Sequence, residues 1–390
     1  MTEDPDGDHR PMTAPLPRPL AAEVVLPIPL DDPRIDTPAV LVDLDIVEAN
    51  IARMAGLARR ERLSLRPHIK THKSTSMAQR QLAAGAVGVC CATASEAEVM
   101  IEGGVGDVLL AYPLVGRRKF ERVAPLLGST ALTLVTDSKA VTASYRDLAQ
   151  TIGHSIRVMI EIDSGMHRVG VDPRSVVEIA ADIASGNDLE LRGIMTHAGH
   201  SHDATDQLGI ESVARHEAAI MGAAREELEA AGFDLPIVSA GSTITAPYLH
   251  AADGITEIRP GTYVYNDLRT MSTYACTPDG LAAFALATVV SLEGDRVTID
   301  AGSKTLTTSH DAIYGFGHLR DQPESRFTRL SEEHGVLAVP NGRSRLAVGD
   351  RVQILPIHVC AWMDLQPEIY GVRNGQIVER IPVEAMRHSL

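Results

Sequence analysis

"LSLRPHIKTHKSTSMAQRQLAAG", residues 63–85, opens as a short apolar run and meets a proline. It then packs two lysines and two histidines into six residues, and closes as an alanine-rich stretch ending in glycine. The pattern predicts one strand, one basic turn and one helix. Read alone, its charge cluster describes a solvated loop as well as a working site. Its meaning depends on whether the unit recurs.

It does recur. Apolar runs at 87–93, 108–113, 131–136, 156–163, 192–198, 237–241 and 257–264 each end in polar or glycine residues. Between them lie helix-like segments such as "SEAEVMIEGG", "RRKFERVAPLLG" and "DSKAVTASYRDLAQTIG", several closing on glycine. Eight strand–helix units predict a parallel α/β sheet with right-handed crossovers. Eight of them within about 220 residues fit a closed (β/α)8 TIM-type barrel better than the alternative, an open doubly wound sheet. After residue 275 the texture becomes short alternating runs split by Gly-Asp and Asn-Gly turns, which predicts hairpins. The reading is a barrel over 21–275 followed by a C-terminal all-β domain over 276–390. The run "AAEVVLPIP" (21–29) is available to add a strand to that domain, so residues 21–35 are open to either unit. Residues 1–20, acidic and proline-rich without an apolar core, predict a disordered tail and no secretory signal.

Bulk properties exclude several classes. The 390 residues are 44% hydrophobic, with a formal net charge of −15. That charge argues against nucleic acid or an anionic membrane as partner. No apolar run approaches the ~18 residues of a membrane helix. Four cysteines are too few for a disulfide framework, which points to a reducing, cytoplasmic compartment.

In such a barrel the active site forms at the C-terminal ends of the strands, and the reactive residues fall there. His68 and Lys70 end the first run, Thr93 and Ser95 the second and Tyr112 the third, Asp137 follows the fourth, and Asp163, His167 and Arg168 follow the fifth. His197, His200 and His202 follow the sixth, Ser242 and Thr243 the seventh, and Arg259 to Tyr263 lie in the eighth. A lysine desolvated in a barrel mouth has a lowered pKa, which suits a Schiff base. Lys73, three residues on, is expected in the first helical turn and solvated. "SAGSTITAP" and "IRPGTYV" end the strands where barrels bind phosphate. Lysine and phosphate segments together point to pyridoxal 5′-phosphate. The histidine cluster could bind metal, supply ring packing and a general base, or be a surface loop. His358 and Cys360, at i and i+2 in an apparent strand, would share a face and form a borderline-soft pair for zinc. A buried cysteine beside a satisfied histidine is the other reading.

In this order these residues resemble the fold-type III pyridoxal-phosphate enzymes, the alanine racemase-like barrels. Within them the sequence is similar to the metal-dependent D-serine dehydratase and D-threonine aldolase family, from about residue 35 to the C-terminus. The resemblance implies that Lys70 in "RPHIKTHKS" carries the cofactor. It implies that Arg168 in "EIDSGMHRVGV" contacts the phenolic oxygen, and that His197 in "RGIMTHAGH" packs on the ring. Ser242, Thr243, Gly261, Thr262 and Tyr263 would contact the phosphate, with Arg259 near the ring nitrogen. His358 and Cys360 would hold a divalent metal, zinc favoured, manganese or magnesium possible. A homodimer is implied, one subunit's β-domain closing the other's barrel mouth. The substrates would be small β-hydroxy-D-amino acids. Cys360 leans toward elimination to a 2-oxo acid and ammonia. His202, or His200, leans toward retro-aldol cleavage to glycine and an aldehyde. Elimination is favoured. An amino-acid racemase and a non-catalytic pyridoxal-phosphate carrier are more distant alternatives.

Overall fold

The structure, a computed structural model, describes residues 18–339 and 346–388. Most of the tail expected at 1–20 lies outside the described residues.

Eight parallel strands run Ser64–Leu65, Val89–Cys91, Asp107–Pro113, Ala131–Thr136, Ile156–Glu161, Leu189–Met195, Ile237–Ala240 and Glu257–Ile258. Each pairs with the next from the second to the eighth, and the eighth pairs with the first. The remaining seam closes through a bridge between His68 and Cys90, where Cys90 N donates to Pro67 O at 2.8 Å. The sheet is therefore a closed barrel, as the eight-fold pattern predicts. Side-chain oxygens of Thr93, Ser138 and Asp206 cap the helices that follow the second, fourth and sixth strands. At Gly193 (φ +147°) a Cβ would meet the Ile237 carbonyl oxygen at 1.9 Å, so only glycine permits that seam of the barrel.

The barrel interior has two layers. Cys90, Leu109, Val135, Met159 and Met195, one from each of strands two to six, pack into an apolar plug. Across from it runs a polar chain. Arg66 Nε donates to Glu257 at 2.8 Å, Ser239 Oγ to the same carboxylate at 2.6 Å, and Arg259 Nη1 to Ser239 Oγ at 2.5 Å. The chain leads up to the mouth and fixes Arg259 there.

The second unit is a mostly antiparallel sheet of the C-terminal strands. The N-terminal chain joins it: Ile28–Pro29 lies antiparallel to Gln376–Ile377. It contributes more than the pattern at 21–35 suggests. Ala39–Asp43, which the sequence reading assigned to the barrel, runs between Ala283–Glu293 and Glu368–Arg373. Its first four residues are buried on both faces, and a continuous apolar run carries no sign of which sheet it will enter.

Candidate active site at the barrel mouth

Lys70 sits in a single helical turn, Ile69–Thr71, where the first strand leaves the barrel. His68 caps that turn, its Nδ1 accepting from Lys70 N at 3.3 Å. At Gly261 a Cβ would stand 3.0 Å from the His68 carbonyl oxygen, so glycine lets the eighth-strand loop close on the lysine turn. Between them opens a cavity of about 370 Å³. Lys70, Arg168, His197 and His202 line it from the first, fifth and sixth strand ends. Ser242, Thr243, Arg259, Gly261 and Thr262 line it from the seventh and eighth. Among the described residues Lys70 has no carboxylate partner.

Four expectations need correction. Lys73 is buried rather than solvated, its amine 2.9 Å from Glu96 and 3.0 Å from Asp364. Burial alone would lower its proton affinity, but the two carboxylates raise it. Tyr263 does not face the cavity. Its hydroxyl accepts from Gln81 at 3.0 Å, and only its backbone N–H turns to Thr243 Oγ1, at 3.1 Å. His200 is not among the lining residues either; its ring lies against Gly165. His200 and His202 both lie in the tight helical turn Gly199–Asp203, where residues two apart point to different sides, which spacing along an assumed loop does not reveal. Finally, His358 and Cys360 are not on a strand. His358 precedes the short helix Val359–Met363, and Cys360 is its second residue. The two side chains are nevertheless near enough for the imidazole to favour the thiolate, because a residue before a helix and the second residue within it can meet across the first turn. The helix docks on its own chain's barrel: Cys360 Sγ lies 3.3 Å from Thr71 Oγ1. Neither His358 nor Cys360 lines the cavity; Cys360 meets its edge through Thr71 and, at 3.9 Å, Thr262 Oγ1.

Electrostatics divide these groups. Burial, with the nearby Lys70 charge, pushes His68 and His197 well below the ordinary histidine value. Burial, then Arg269, His358 and Lys70, brings His202 down to about 4, so its ring is a neutral acceptor at pH 7. Burial pushes the Cys360 thiol up, but His358 and Lys70 outweigh it and leave it below its ordinary value. A lowered thiol beside an imidazole suits a divalent metal. Two donors leave coordination positions for a substrate oxygen, and no group of three or more ligands occurs among the described residues.

The pyridoxal phosphate fit rests on the opposite rim. Thr243 Oγ1 accepts from Gly261 N at 3.2 Å and from Tyr263 N at 3.1 Å, which leaves its own proton to donate into the cavity. Ser242 Oγ accepts from Ile244 N and Thr245 N at 3.2 and 3.3 Å, which stiffens the same rim.

Among the titratable lining residues, one escaped the sequence reading. Glu161 ends the fifth strand, 2% exposed, with Oε2 bonded to nothing among the described residues. Burial raises its pKa to about 7, against the pull of Arg259 and Arg168. The available signal was a carboxylate inside the apolar strand "IRVMIE".

Comparison with known proteins agrees with this layout. Residues 42–268 match the family described as alanine racemase, N-terminal domain. Residues 282–372 match the putative serine dehydratase domain. The chain belongs to the alanine racemase-like, fold-type III pyridoxal-phosphate family. Within this family it is 34% identical to a D-threo-3-hydroxyaspartate dehydratase of Delftia sp. over 84% of this chain and 91% of the relative. It is 30% identical to a D-threonine aldolase of Arthrobacter sp. over 92% and 95%. The solved D-threonine aldolase from Filomicrobium marinum superposes with a TM-score of 0.86 at 30% identity, covering 95% of this chain and all of that one. A solved cysteine-to-alanine variant of a D-threo-3-hydroxyaspartate dehydratase, in the metal-free form, superposes at 0.82 with 31% identity over 89% and 97%.

Proposed function

We propose that this protein is a pyridoxal-phosphate- and divalent-metal-dependent lyase acting on β-hydroxy-D-amino acids, by elimination to a 2-oxo acid and ammonia. The observation that carries the reading is the nearness of Lys70, which has no carboxylate partner among the described residues, to the His358–Cys360 pair, whose thiol lies 3.3 Å from Thr71 Oγ1. Relatives named as dehydratases and aldolases of such substrates support it.

Lys70 would hold the cofactor, with Ser242, Thr243, Gly261 and Thr262 around the phosphate, Arg168 and Arg259 along the ring, and His197 against its face. His358 and Cys360 would hold the metal, zinc by the softness of the thiolate. When bound, the pyridine ring acidifies the α-carbon, and the metal stabilises charge on the β-oxygen. Lys70 Nζ, once free, takes the α-proton. His197 stays neutral and so packs without adding a charge.

A second reading has its own support. His202 lines the cavity as a neutral ring, placed to take a β-hydroxyl proton, which is the step retro-aldol cleavage needs. Assay of D-serine, D-threonine and 3-hydroxy-D-aspartate with added zinc or manganese separates the two. Ammonia with a 2-oxo acid marks elimination, and glycine with an aldehyde marks aldol cleavage. An L-preference refutes both. A homodimer and a cytoplasmic location complete the proposal. Four free cysteines support a reducing compartment, and no described helix is long and apolar enough to cross a membrane.

A further inference from the structure

Three residues past Lys70 the backbone passes through a left-handed residue, Lys73 (φ +50°), and its amine turns away from the cavity into a buried junction. Its partners come from three different places. Glu96 Oε1, at 2.9 Å, belongs to the first turn of the helix after the second strand, and the other oxygen of that carboxylate accepts from Ala92 N at 2.6 Å. Asp364 Oδ1, at 3.0 Å, follows the helix Val359–Met363 and also accepts from Arg387 N at 2.8 Å. The Ala385 carbonyl accepts from the amine at 3.3 Å, while Ala385 N donates back to the Lys73 carbonyl at 3.0 Å. Lys73 is held through both side chain and backbone.

The helix that Asp364 ends is the one that His358 begins and on which Cys360 lies. One cation therefore grips the loop of Lys70 on one side and the helix of the His358–Cys360 pair on the other. Val359, Trp362 and Met363 seat that helix by apolar burial. Val359 N, donating to Asp267 Oδ2 at 3.0 Å, and the Trp362 indole, donating to the Leu306 carbonyl, fix the start and middle of the helix, while its C-terminal end is tied to the lysine loop through Asp364. An ammonium between two carboxylates is directional, and its bonds are short and charge-assisted.

We propose that Lys73 is a positioning residue that sets the His358–Cys360 pair against Lys70, and so fixes where a divalent cation stands relative to the cofactor lysine. The proposal rests on the function above, in that the pair must bind a cation.

The test uses the full-length holoenzyme and three readouts. Zinc affinity is measured by chelator-buffered titration with metal analysis. The visible absorbance of the lysine-bound cofactor reports the Lys70 side. Emission of Trp362, the single tryptophan of the chain, reports the helix, where its indole N–H donates to the Leu306 carbonyl at 2.7 Å. Lys73→Met is expected to keep the cofactor absorbance, to weaken zinc binding roughly 10- to 100-fold, and to shift Trp362 emission. Lys73→Arg should recover most of the affinity. Asp364→Asn removes the charge but keeps an acceptor for Arg387 N, leaves Lys73 and its bond to Glu96 in place, and should reproduce the zinc loss even if Lys73→Met does not fold. Zinc binding at parental strength in the variants overturns the proposal. So does loss of zinc, cofactor absorbance and thermal stability together in Asp364→Asn, since that describes a general packing role. A parent that binds no zinc refutes the function above and this placement with it. A parent that binds zinc, with variants to match, refutes the placement alone.

Discussion

The thiol of Cys360 stands 3.3 Å from the hydroxyl of Thr71, the residue that follows Lys70. Two side chains 289 positions apart thereby place a soft metal ligand one residue from the amine that would carry the cofactor. The chemistry proposed for this protein depends on that juxtaposition, and each half of it can be removed separately.

Removing the amine comes first. Lys70→Ala should fold, because Lys70 has no ion pair among the described residues to lose. Its purified protein should lack absorbance near ~420 nm, and lyase turnover should fall by more than about 10²–10⁴-fold, the range of a lost general base alone. An unchanged visible spectrum would move the cofactor to another lysine. Lys73 is then a poor alternative, since two carboxylates keep it charged.

The metal half behaves differently. Cys360→Ala should keep the visible absorbance and lose zinc, with kcat reduced and little recovery on adding metal. Cys360→Asp should recover activity with manganese better than with zinc, because a carboxylate oxygen is a harder ligand than a thiolate. Metal content and a metal-replacement series on both variants check this.

His202 decides between the two cleavages. His202→Phe should lower formation of glycine and aldehyde by about 10²–10⁴-fold and disturb ammonia release far less. Since the ring titrates near about 4, glycine formation in the parent should show no histidine limb near pH 6.5 and should decline only as pH falls toward about 4.

Glu161 predicts a pH-dependent stability difference. Its folded pKa, about 7, lies above the unfolded value of 4.5, so between these limits the folded state binds the extra proton and stability falls as pH rises. Glu161→Gln removes the buried charge. The variant should be more stable than the parent at pH 8, by roughly 1–3 kcal/mol, and the advantage should shrink toward pH 4.5. Thermal or urea unfolding across pH 4.5–8 measures it. A constant difference over that range would mean that Glu161 does not titrate there.

Much of this protein was legible in one dimension. A strand followed by a helix announces itself within some twenty residues, because side-chain period and capping are local properties. Eight repeats then imply a ring, and a ring brings all strand ends to one mouth. That logic reached Lys70, Arg168, His197, His202, Ser242, Thr243, Arg259, Gly261 and Thr262, all of which line the cavity. It failed where a side chain's direction depends on the loop that carries it. Tyr263 turned to Gln81, His200 turned to Gly165, and the apparent strand at 358–360 became a helix start.

The order of strands, and which strand ends meet at the mouth, follow from local pattern, since each element's period and caps are written in its own residues. The pairing of Lys73 with Glu96 and Asp364, the orphaned oxygen of Glu161, and the arrival of Cys360 at Thr71 are different in kind. The Lys73–Asp364 and Thr71–Cys360 contacts join residues up to 291 positions apart, and no local pattern encodes a contact that exists only once the two units have packed.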